Sequence, residues 1–190
     1  MRKQLVILSL VLAATTSAFA LGPEATETTP GETTAAAWPS ALLGKVSDFL
    51  QTSPGEGIAR GLGLPTNRSI TSTDMAKLGP SKIDALVALS RLNLEKGAIT
   101  IRVNAAPKNE QPQINQFVEK LKSMLANSLT ESGSKSWTVA QRRELDTLSN
   151  LVLDQPGVLT IKSINDSIAG LKNLTGNQKV SFTNILGCQI

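Results

Sequence analysis

The chain has 190 residues, 19 Lys and Arg against 15 Asp and Glu, 41% hydrophobic and 3% aromatic residues, one cysteine, and neither histidine nor tyrosine. Without imidazole it carries no Ser-His-Asp or Cys-His catalytic set, no His-ligated zinc and no easy general base near neutral pH, and a single thiol excludes an intrachain disulfide. The formal net charge of +4 is spread over scattered Lys and Arg with few rings to stack on bases, which argues against nucleic acid as a partner.

Met1 to Ala20 reads as a signal peptide. Arg2 and Lys3 open it, Leu5 to Ala14 form an apolar run, and Ala18-Phe19-Ala20 is the small-x-small pattern a signal peptidase cuts. A run of about 10 apolar residues falls short of the ~20 that span a bilayer. The expected product begins at Leu21, is soluble in a secreted or periplasmic space, and has no integral membrane segment after leader removal. Residues 21–37 are Thr, Glu, Pro and Ala with little apolar bulk, so they are expected to form a disordered tether. Residues 38–190 are expected to form a single folded domain with a real core, residues 38–80 being its candidate peripheral part.

Leu42, Leu43, Val46, Phe49 and Leu50 recur at helical spacing, with Ser40 as cap, and predict a helix that Ser53-Pro54-Gly55 ends. Residues 55–79, rich in Gly, Thr and Ser, read as a long irregular connection. Ser81 and Asp84 resemble a capping box, and Ile83, Leu86, Val87, Leu89 and Leu92 predict a helix to Lys96-Gly97. Next, Ile99, Ile101 and Val103 alternate with polar residues over 98–103 and predict a half-buried strand.

After a turn at Pro107 to Pro112, Ile114, Phe117, Val118, Leu121, Met124, Leu125 and Leu129 make the strongest helical stripe in the chain, with Gly133 at its end. Thr138 and Gln141 form a capping box for a helix through Leu145, Leu148, Leu151 and Val152 that stops before Pro156-Gly157. Val158 to Lys162 predicts a second strand. Ile164, Ile168 and Leu171 predict a short helix with Ser163 and Asp166 in cap positions, and Val180 to Ile185 a closing strand. The expected fold class is therefore α+β and helix-rich, a small sheet of about three short strands packed with four to five helices. Ile83-Asp84-Ala85-Leu86 leading to Gly97-Ala98-Ile99-Thr100-Ile101 resembles Leu145-Asp146-Thr147-Leu148 leading to Gly157-Val158-Leu159-Thr160-Ile161, the mark of a weak internal duplication.

Each chemical motif meets an objection from its own surroundings. Gly57, Gly61 and Gly63 have the G-x-x-x-G-x-G spacing of the phosphate turn in short-chain dehydrogenases. Thr52-Ser53-Pro54 stands where that turn needs a hydrophobic strand, and there is no tyrosine for the catalytic Tyr-x-x-x-Lys. Ser132 and Lys135 have the Ser-x-x-Lys spacing of penicillin-interacting enzymes, but Gly133 lies between them and neither Ser-Asp-Asn nor Lys-Thr-Gly follows. Glu144 and Asp146 are the acids closest in sequence, on different helical faces. Asn67, Asn165 and Asn173 are formal N-glycosylation acceptors, and close to chance in so Asn-, Ser- and Thr-rich a chain.

No catalytic, cofactor or metal residue emerges. Phe117, Leu121 and Met124 are a candidate interaction surface whose other role is core packing, and Cys188 is a candidate for an intermolecular disulfide. The expected function is that of an exported, noncatalytic interaction protein binding a macromolecular partner or cell-surface component. The alternatives are a secreted hydrolase or toxin-like effector using carboxylate or Ser/Lys chemistry, and a structural envelope or matrix component.

Overall fold

In the computed structural model, which describes residues 39–130 and 136–187, every regular element among the described residues is a helix. In chain order these are α1 (Ser40–Leu50), α2 (Ser53–Gly61), α3 (Ser72–Ala76), α4 (Pro80–Leu94), α5 (Lys96–Asn104), α6 (Gln111–Leu129), α7 (Val139–Leu153), α8 (Ile161–Gly170) and α9 (Gly176–Leu186). The expected sheet is absent among these residues, and the α+β reading is corrected to all-α.

Each expected strand fails for an identifiable reason. Residues 98–103 lie within α5, where Ile99 and Val103, four apart, are buried and Ile101 is 73% exposed. Alternation with period two and an i, i+4 pair share the positions 99 and 103, and only Ile101 separates them. Residues 158–160 belong to no regular element, and Thr160, itself extended, caps α8 so that the chain turns helical at Ile161. Residues 180–185 belong to α9, whose buried Phe182 and Leu186 are again four apart while Val180 is 53% exposed. The two passages read as a duplication also diverge, since Gly97 is helical and Gly157 sits in a loop at φ 98°.

Residues 55–79 are not an irregular connection either. Ser53-Pro54-Gly55 ends α1 and at once opens α2, with Thr52 as N-cap accepting from the Gly55 N–H. The hairpin between the two helices is so tight that a Cβ on Gly55 would lie 2.0 Å from the Phe49 carbonyl oxygen. Further on, Thr71 and Asp74 cap each other reciprocally and start α3. Val46, Phe49, Leu50, Ile58, Ala59, Ile70 and Met75 are all buried in the same core cluster as the later helices.

The centre of the fold is the pair α4 and α7, which make the most extensive contact between any two elements described. Arg142 reaches Ser81 across 61 residues, and Arg91 reaches Asp154 across 63. A nearly constant offset means the two helices run in the same direction. A parallel pair needs a return crossing, and α5 and α6 supply it. Arg102 on α5 lies at the C-terminal end of α7, whereas Arg142 near the N-terminus of α7 bonds the Ser128 carbonyl at the end of α6. Thus α6 runs against both central helices and packs on each. Around this trio α1 lies on α4, α2 on α1 and α6, and α9 on α6 and α8. Phe117 of α6 meets Phe182 of α9 with ring centroids 5.3 Å apart and planes tilted at 50°.

Candidate functional site

Parallel helices bring like dipole ends together, and the charged side chains follow that constraint. The C-termini of α4 and α7 sit side by side, a place where cations are stabilising. Arg91, in the last turn of α4, grips Asp154, the C-cap of α7, through two bonds of 2.8 and 2.6 Å and also reaches Glu95 at 3.2 Å. Arg102 donates Nη1 to the Leu151 carbonyl at 2.8 Å and to that of Val152. At the opposite end Arg142, itself 7% exposed, bonds the Ser128 carbonyl and the Ser81 hydroxyl, each at 3.2 Å. Burial pulls the pKa of both Arg102 and Arg142 below the usual arginine value. Lys179 completes the pattern by donating to the Leu171 carbonyl after α8.

Carboxylates serve the N-terminal sides. Glu144 collects the N–H groups of Lys172, Asn173 and Leu174 at 2.7–2.8 Å in the loop before α9, and Glu110 accepts from the Ile161 N–H at 2.8 Å where α8 begins. Asp74 accepts from both Arg68 Nη atoms and from Thr71. Glu110 and Asp74 thus satisfy N–H groups that a helix start leaves open, and Glu144 satisfies those of the loop that leads into α9. Asp146 differs. Burial, and then the like charge of Asp84 on the neighbouring helix, push its carboxyl up. Among the described residues no group of three or more Cys, Asp or Glu could hold a metal ion.

A concave feature of mixed chemistry lies between α2, α4 and α6. It is a cleft of about 390 Å³, floored by Phe49, Ile58, Leu89 and Ala126 and rimmed by Asn93, Glu119, Lys122 and Ser123. Its cause is local: Gly57, on the lining face of α2, has open space where a side chain would stand, and Ala126 opposite is small. At the rim the Lys122 ammonium lies 2.6 Å from Glu119, and the lysine side chain is only 12% exposed while that of Glu119 is 71% exposed. Asn93 is held by its amide, which donates to the Leu89 carbonyl at 2.8 Å. An apolar floor with a few oriented polar groups at its edge is the make-up of a binding site.

The residues singled out in the sequence lie elsewhere. Phe117 and Leu121 are fully buried and Met124 is 6% exposed, so the stripe on α6 is core, and this face offers no surface to a partner. Cys188 lies outside the described residues, as do Ser132, Lys135, the leader and the tether. Gly57 and Gly61 are in α2 rather than in a phosphate turn, and Gly63 follows it at φ 67°. Asn67 and Asn173 are exposed, and Asn173 donates its side-chain amide to Glu144. Sequence reasoning missed the cleft because its members come from four helices. The legible trace was small: Glu119 and Lys122, three apart, flank the α6 stripe, and Gly57 falls in a segment read as loop.

No family model, curated protein or solved structure matches this chain. Among the described residues no helix is long and apolar enough to cross a membrane.

Proposed function

We propose that this chain is an exported, noncatalytic interaction protein that holds a partner macromolecule or cell-surface component in the cleft between α2, α4 and α6. The observation that carries the reading is the cleft itself. Its apolar floor suits a single apolar side chain or short segment of a partner, and its polar rim can orient that segment through Asn93, Lys122 and Ser123. The ion pair of Glu119 and Lys122 is open on the Glu119 side, so an incoming acidic group can exchange with it. The engagement of Arg91 and Arg102 at helix C-termini, of Glu110 at the start of α8 and of Glu144 in the loop before α9 supports binding over chemistry at those residues. Export rests on the pattern of residues 1–20.

The test uses Gly57→Trp. The position is helical, is not at positive φ and has open space beyond it, so the indole fills the cleft without backbone strain. Helix propensity alone makes a change from glycine neutral or stabilising by up to about 1 kcal/mol. The expected outcome is a tagged protein that recovers a partner from its native compartment, and a G57W form with an unchanged or higher melting temperature that does not. Capture that is indifferent to G57W removes the cleft from the proposal. Intact mass of the exported protein is expected to place its first residue at Leu21; a cytosolic form retaining Met1 removes export.

A further inference from the structure

α5 has an outer face that the core does not use. Ala98, Ile101 and Ala105 follow one another at i, i+3 and i+7 and all three are exposed, Ile101 at 73%. The segment carrying Val158, 50% exposed, is tied to the same end of the molecule. One side of it is held by Arg102 at Leu151 and Val152, and the other by Glu110 at Ile161. Lys96 at the start of α5 and Lys108 just beyond its end are exposed and have no carboxylate within ion-pair distance among the described residues, whereas Glu95 and Asp154 are engaged by Arg91 and Glu110 by a backbone N–H.

We propose that this end of the molecule docks on an anionic phospholipid surface, with Ile101 and Val158 entering the headgroup layer and Lys96 and Lys108 facing lipid phosphates. Charge complementarity selects the occupant. A second copy of the chain in a twofold contact would set this cationic rim against itself, while an anionic bilayer answers both the unpaired ammonium groups and the apolar ridge. Shape agrees, because the outer face of a helix is convex, and a fluid interface moulds around a ridge that a protein partner would need a matching groove to receive. The inference is independent of the cleft, which lies on other helices.

The experiment is co-sedimentation of the purified full chain with vesicles of phosphatidylglycerol and phosphatidylcholine, against vesicles of phosphatidylcholine alone, at low and high salt. Binding is expected on the anionic vesicles only and is expected to weaken as salt rises. I101D and V158D are expected to lose it with circular dichroism and melting unchanged, since both sites are exposed. K96A and K108A are each expected to weaken it about fivefold at low salt. V180D, at an equally exposed valine on α9, is expected to bind as the parent does. The proposal is overturned if the parent protein stays in the supernatant, if binding survives I101D, or if phosphatidylcholine alone is bound as well. A dimer that I101D dissociates, with no vesicle binding, overturns it in favour of self-association.

Discussion

Two aspartates in this fold respond to acid in opposite senses. Asp74 is 3% exposed, bonded to Arg68 at 2.7 and 3.0 Å and to the Thr71 hydroxyl at 2.8 Å. The Arg68 guanidinium, followed by Thr71, holds its carboxyl well below the ordinary carboxylate range. A carboxyl with a depressed pKa in the fold adds stability above its unfolded pKa of about 3.9, and that stability drains away as pH falls below it. Asp74→Ala also removes the capping box of α3, so it is expected to cost about 1–2 kcal/mol in urea unfolding at neutral pH, with the deficit shrinking in acid. Asp146 has the reverse sign, because burial and the Asp84 charge raise it. The folded state then holds its proton more tightly than the unfolded chain, and ionisation lowers stability as pH rises through the acid range. Asp146→Asn is expected to melt above the parent at neutral pH and to lose that advantage on acidification. An unchanged melting temperature at neutral pH would mean that neither burial nor the Asp84 charge penalises the ionised Asp146 carboxylate.

At the scale of elements, α5 gives the sharpest discrimination between a helix and a strand. Ile99→Ala is expected to cost about 2 kcal/mol or more, because the side chain is 6% exposed, while Ile101→Thr is expected to stay within about 0.5 kcal/mol. On a half-buried strand the two would cost alike, so equal losses in chemical denaturation would restore the strand. Much of the helical punctuation was legible as threonine followed three residues later by a polar partner. Thr138 with Gln141 was read correctly, and the structure adds Thr71 with Asp74, Thr160 with Ser163 and Thr175 with Gln178. Ser81 with Asp84 has the same spacing and does not cap. Gly79 at φ 76° and Pro80 start α4 before that box could close, and the Ser81 hydroxyl accepts from Arg142 instead. A capping pattern therefore announces a helix start only where the capping residue is itself extended, as Thr71, Thr138, Thr160 and Thr175 are and Ser81 within α4 is not, a condition that a single sequence does not display.

For the molecule as a whole, the core is a helical trio with α9 packed on its α6 member, and Phe117 against Phe182 is the joint between α6 and α9. Phe117→Ala and Phe182→Ala are each expected to cost about 3–5 kcal/mol, and a double-mutant cycle is expected to show a coupling of about 0.5–1.5 kcal/mol between the rings. Additive losses would place the two rings in independent parts of the core. By itself the sequence determined the helical stripe of α6, the boundaries of α4 and α7 to within a few residues, and the absence of imidazole chemistry, because periodicity and residue inventory are local properties. Only the tertiary structure decided that α4 and α7 run parallel, that Ile99 and Val103 face inward while Ile101 faces out, that Phe117, Leu121 and Met124 are core, and that Gly57 and Ala126 leave a cleft. These depend on which helix lies against which. That choice is made by cross-element contacts such as Arg91 with Asp154 and Arg142 with Ser128, whose members stand 63 and 14 residues apart and share no local pattern.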